Sequence, residues 1–151
     1  MANFGNIPVY ALRFMVIYFI VTNAIAMALF PGGTLFHPEL EIYSFSENFF
    51  SDLGITFTKD GTQNYLSSFL FNSSLLVLGL CAVTHIFVPK LFKENKKSYV
   101  LSIIAAILFV IAGLSFIGVG LTPADIYFEE HVWFVIFAFN AQTIGVLFMT
   151  I

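Results

Sequence analysis

The chain has 151 residues, of which 59% are hydrophobic and 10% charged, with a formal net charge of −3. An ordinary soluble domain carries roughly 25% charged residues, so a water-soluble fold is excluded for want of polar surface, whereas helices that face lipid need none. The weak net charge and the absence of a basic stripe exclude nucleic acid as a partner, and the lone Cys81 excludes an internal disulfide and a cysteine-based metal knuckle.

A bilayer core needs about 20 mostly apolar residues per helix, and four segments meet that length: 10–30, 66–88, 99–121 and 132–151. Within the first, Ala24-Ile25-Ala26 resembles a signal-peptidase site, but the apolar run continues to Phe30, which predicts an uncleaved anchor. Pro31-Gly32-Gly33 ends this span, Pro89 the second and Pro123 the third, because proline cannot continue a helix. Tyr10, Tyr65, Tyr99, Tyr127 and Trp133 fall near span ends, where amphipathic rings favour the interface.

Between the first two spans, residues 31–65 form a loop too long to be a simple connector. From Pro38 onward, Ile42, Phe45, Phe49 and Leu53 recur at helical spacing, with Glu41, Asn48 and Asp52 beside them. This pattern predicts an amphipathic surface helix that Pro38 opens and a left-handed Gly54 closes. Lys59-Asp60-Gly61 predicts a turn into span two.

Basic residues collect on the cytoplasmic side of membrane proteins. Arg13, Lys90, Lys93, Lys96 and Lys97 lie on one side with Glu94, giving +4; eight acids and Lys59 lie on the other, giving −7. Both ends are therefore expected in the cytoplasm of a multi-pass plasma (inner) membrane protein. The lysines can also contact anionic lipid headgroups.

The order Pro31-Gly32, Glu47-Asn48-Phe49-Phe50-Ser51-Asp52-Leu53-Gly54 and Asn72, followed by Val119-Gly120-Leu121-Thr122-Pro123-Ala124-Asp125 and His131, resembles the bacterial and archaeal membrane-protein family called domain of unknown function 998. The resemblance runs from Pro31 to about Phe139 and implies a membrane-embedded helical fold without an established activity. Members usually carry more spans than the four read here.

Asp52, Asp125 and His131 all fall on the outer side and could converge. A carboxylate that fixes an imidazole makes a general base, with Ser51 as a conceivable nucleophile. The alternative is that Asp52 caps backbone groups, Asp125 caps the turn before span four and His131 sits at the interface among lipid headgroups. His37, Glu129 and His131 are acceptable metal ligands, though no tight spacing fixes a geometry; a solvated acidic face is the simpler reading. Asn23, Asn72 and Asn140, near the middles of spans one, two and four, should face the bundle interior as hydrogen-bonding groups, and Asn48 should do the same in the loop. In span three, Ala106, Gly113 and Gly120 recur every seven residues and predict a close-packed seam; in span two, Ser68, Asn72, Gly79 and Ala82 share a face towards its neighbours. His85, near the inner end of span two, is expected to be hydrogen-bonded at the interface.

No motif for a nucleotide, haem or flavin is present, nor a Lys within a span for a retinal Schiff base, so no cofactor is expected. The sequence therefore reads as an all-α transmembrane bundle in one domain. Its expected role is that of a non-enzymatic component that binds membrane lipid, a second copy or another membrane protein. A small hydrolase acting on lipid at the outer leaflet is the alternative.

Overall fold

The computed structural model describes residues 6–34 and 36–150; Ile151, assigned above to the end of span four, lies outside them. Four α-helices run through it: α1 (Ile7–Leu29), α2 (Tyr65–Val83), α3 (Lys96–Leu121) and α4 (Phe128–Thr150). At 1.5 Å per residue, the 23 residues of α1 or of α4 reach about 35 Å, more than the hydrocarbon thickness of about 30 Å. All four are long and apolar enough to cross a membrane, α2 together with the 3-10 segment that follows it.

Local chemistry marks each boundary. Pro8 stands in the first turn of α1, where its missing N–H leaves nothing unpaired. Phe30 leaves the helix with an extended backbone just before Pro31. Asn95 caps α3, its Oδ1 accepting from Lys97 N at 3.0 Å and Ser98 N at 3.2 Å. Glu129 and Glu130 occupy the first turn of α4, where acidic groups suit the positive end of the helix dipole.

Pro89 does not end the second span. The α-helical pattern stops earlier, at Val83, and the chain continues as a 3-10 helix through Thr84–Phe92 with Pro89 inside it. Side chains explain the change: Thr84 Oγ1 donates to Cys81 O at 2.6 Å, and the His85 imidazole, through Nδ1, to Ala82 O at 3.0 Å. Both carbonyls also accept from the Thr84 backbone N–H, so side chain and backbone bond the same two groups where the helix tightens.

The expected surface helix is also absent. Only one 3-10 turn, Phe50–Gly54, forms in that region, and the preceding residues are turns and bends. Asn48 Oδ1 accepts from Ser44 N at 3.0 Å and Asp52 Oδ2 from Phe49 N at 2.9 Å. Local side-chain bonds of this kind compete with the helical backbone pattern. The apolar stripe does not stay together either: Leu53 is fully buried, while Ile42, Phe45 and Phe49 are exposed. Gly54 is not left-handed. It is required instead by close approach, since a Cβ there would lie 2.6 Å from the Phe71 ring.

The helices pack in chain order, α1 on α2, α2 on α3 and α3 on α4, while α1 and α4 do not pack along each other. The seam read in α3 is confirmed at its glycines. A Cβ on Gly113 would lie 2.5 Å from Gly79 O, and one on Gly120 2.9 Å from Asn72 O, so α2 and α3 meet backbone to backbone. The core lies towards the end that carries the 31–64 loop, where Ala26, Phe71, Leu75, Phe116, Val119 and Ala138 from the helices join Leu53 and Ile55 from the loop. The loop is thus a plug on one end of the bundle.

Candidate functional site

Two places bring chemically useful groups together: the end plugged by the long loop and a cleft at the lysine-rich end.

At the plugged end, Asn48 is a junction. Its Nδ2 donates to Gly33 O at 3.0 Å and to Asp52 Oδ2 at 3.1 Å. Gly32 and Gly33 have positive φ, and a Cβ on Gly32 would collide with Leu40 O, so the turn after α1 requires glycine. The next segment is held from both directions. Asn64 Nδ2 donates to Leu53 O at 3.1 Å and Ile55 O at 2.9 Å; Ser67 Oγ also reaches Leu53 O, and Ser68 Oγ and Asn72 Nδ2 both reach Gly54 O. Asp125 Oδ2, from the α3–α4 turn, accepts from Thr56 N at 2.9 Å and Phe57 N at 3.1 Å. Consecutive carbonyls are therefore received by α2 and consecutive N–H groups by Asp125. A carboxylate accepting from N–H donors makes stronger bonds than a neutral acceptor.

The turn at Lys59-Asp60-Gly61 forms as expected, with Gly61 at φ +86° and Thr58 N donating to Thr62 O. The Thr58 hydroxyl, with the N–H and hydroxyl of Thr62, holds the Asp60 carboxyl below its usual range. Nearby, burial and then the charge of Asp52 push the Tyr43 phenol up.

His131 is 5% exposed. Its Nδ1 donates to Thr122 O at 2.7 Å, tying the start of α4 to the end of α3. Its Nε2 is buried and has no protein partner. No hydrogen bond joins Asp52, Asp125, His131 or Ser51 to one another among the described residues. Each of the two aspartates binds backbone N–H groups, Asp52 within its own turn and Asp125 across to Thr56 and Phe57 of the long loop rather than in the turn before α4.

His37 lies on the loop surface, with Nδ1 3.1 Å from Glu39 Oε1 and Nε2 4.0 Å from Glu47 Oε2. The Glu39 carboxyl lies below its ordinary range, first through its own backbone N–H and then through His37. Glu129 is exposed, whereas His131 is buried. Among the described residues no three His, Cys, Asp or Glu side chains approach closely enough to hold a metal.

The intramembrane asparagines divide. Asn23 is buried and donates to Phe19 O at 2.8 Å and Ser74 Oγ at 3.0 Å, bonding α1 to α2. Asn72 belongs to the carbonyl clamp. Asn140, expected to face inward, is exposed, and its Nδ2 donates to Ile136 O of its own helix at 2.8 Å. Since α4 is apolar on nearly every side, its sequence carries little indication of which face packs; Ala138, Ala141 and Gly145 decide it by allowing close approach to α3.

At the other end, a cleft of about 490 Å³ lies between the 3-10 segment after α2 and α3. Ile86, Ile103, Ile107 and Val110 supply apolar wall, while Lys90, Lys93 and Tyr99 supply its polar groups. Lys90 Nζ also lies 5.2 Å from the centre of the Phe87 ring. Deeper in, the His85 ring stacks on Phe109 with centroids 4.4 Å apart.

Neither the family models, the curated proteins nor the solved structures gave a match.

Sequence reading singled out the lysine cluster but missed the cleft, which is formed jointly by the 3-10 segment and α3. It also missed Asn64 and Ser67. The only signal for them was a polar start to an apolar span.

Proposed function

We propose that this protein is a non-enzymatic, multi-pass component of the plasma (inner) membrane that binds an anionic phospholipid from the cytoplasmic leaflet. The supporting observation is the cleft between the 3-10 segment and α3: its isoleucine and valine walls suit an acyl chain, and Lys90, Lys93 and Tyr99 suit a phosphate. The reading includes cytoplasmic termini, argued from the charge split, and membership of the domain of unknown function 998 family, argued from the Ser51–Gly54 motif and its setting. A lipid hydrolase has less support, because Asp52 and Asp125 already bind backbone groups.

Each lysine near an anionic surface contributes about 1 kcal/mol, so two should favour an anionic over a zwitterionic lipid by roughly 30-fold. Lipid competition in nanodiscs, phosphatidylglycerol against phosphatidylcholine, measures this ratio. Combined Lys90→Gln and Lys93→Gln should reduce it to near unity. Ile107→Trp, at a wall position that is exposed, should obstruct binding without removing charge. An unchanged ratio in both variants, or an equal loss on Lys96→Gln with Lys97→Gln outside the cleft, would refute a specific site.

Orientation is tested with a Cys81→Ala background and a membrane-impermeant thiol reagent. Cysteine at exposed Lys59 should label in intact cells, and cysteine at exposed Glu94 should label only after permeabilisation. The reverse pattern would move the cleft to the outer leaflet and end the cytoplasmic reading.

A further inference from the structure

Asn140 is the thirteenth of the 23 residues of α4, which puts it about 18 Å from the start of the helix and about 15 Å from its end and so near the bilayer midplane. A carboxamide at that depth is costly when it faces hydrocarbon and accordingly marks a place where something polar packs. One N–H is used on Ile136 O; the exposed amide otherwise points away from the bundle.

Its neighbours on the helix form a pattern. Trp133, Ile136, Asn140, Thr143 and Leu147 are all exposed, and their spacing alternates three, four, three, four. That is the spacing of a left-handed helix–helix seam crossing at about 20°. The opposite side of α4, through Ala138, Ala141 and Gly145, is taken by α3.

We propose that this face of α4 is the interface of a parallel homodimer in which Asn140 bonds Asn140 of a second copy. Two arguments select a second copy. The basic residues orient every copy alike in one membrane, so paired α4 helices must run parallel and Asn140 meets its equivalent at the same depth. A carboxamide is also self-complementary, because it both donates and accepts. A lone Asn at a core position of a paired helix is a recognised way to set register and partner number. The dimer is independent of the lipid cleft, which lies between the 3-10 segment after α2 and α3.

The test uses the full chain in liposomes with Cys81→Ala and single cysteines. Under a copper–phenanthroline oxidant, cysteine at Ile136, Thr143 or Leu147 should form disulfide-linked dimers. Cysteine at exposed Val146 on α4, or at exposed Ile17 on α1, should not. A second measurement follows dimer dissociation by fluorescence energy transfer as the liposomes are diluted with lipid. One intramembrane side-chain bond contributes about 0.6 to 2 kcal/mol, so Asn140→Leu should weaken association by roughly threefold to thirtyfold. Asn140→Gln should restore most of it. Because Asn140 is exposed, the thermal midpoint of the monomer should stay unchanged in both variants. Equal cross-linking at Val146, an unchanged dissociation constant for Asn140→Leu, or monomers at every protein-to-lipid ratio would overturn the proposal. Cross-linking of Ile136 to a different protein in native membranes would also overturn it.

Discussion

Gly113→Ala is expected to lower the thermal unfolding midpoint in detergent sharply, and Gly113→Leu to prevent recovery of a monodisperse protein. The added Cβ would meet Gly79 O at 2.5 Å and the side chains of Ala82 and Val83 at 3.1 Å. The first of these contacts is backbone, so no rotamer change relieves it and α2 must move away from α3. Overpacking usually costs about 1 to 3 kcal/mol, and a backbone collision belongs at the upper end. The location increases the consequence: α1 is attached through α2 and α4 through α3, so parting the middle pair splits the molecule into two hairpins. Gly61→Ala provides the contrast. A Cβ there meets nothing within 4 Å, and the cost is limited to its positive φ, about 1 kcal/mol. Equal midpoints for the two alanine variants would disprove the close α2–α3 contact.

Asn64→Ala is expected to release the loop plug while leaving the spans inserted. Asn64 is 1% exposed and holds Leu53 O and Ile55 O with one amide nitrogen. Leu53 O keeps Ser67 Oγ, so the main loss falls on Ile55 O. A buried carbonyl left without its donor costs about 1 to 3 kcal/mol. That is enough to shift a docked loop to a mixture of docked and open states. Limited proteolysis should then cut residues 31–64 at least fivefold faster, and amide exchange should rise first at Thr56 and Phe57, whose N–H groups bind Asp125. Asn64→Asp should be worse than alanine, because a carboxylate placed against two carbonyls repels both. If Asn64→Ala left cleavage at the parental rate, the clamp on Leu53–Ile55 would be incidental to loop docking.

The membrane spans were legible because the bilayer imposes a local criterion: enough consecutive apolar residues to satisfy every backbone group within lipid. The glycine seam was legible for a similar reason, since a seven-residue repeat maps directly onto one helix face. The turn at Lys59-Asp60-Gly61 follows from the conformational freedom of Gly61. Tertiary structure decided the rest. Residues 38–53 have helical periodicity, yet Asn48 and Asp52 bind nearby backbone N–H groups and Leu53 alone of the stripe is buried. The targets of Asn64, Ser67, Ser68 and Asn72 lie 9 to 18 residues back along the chain, beyond any local pattern. The outward direction of Asn140 was set by which face of a uniformly apolar helix found small residues opposite α3. Lipid accepts nearly any face of such a helix, so the sequence determined that these segments cross the membrane, and packing alone determined which side chains look inward.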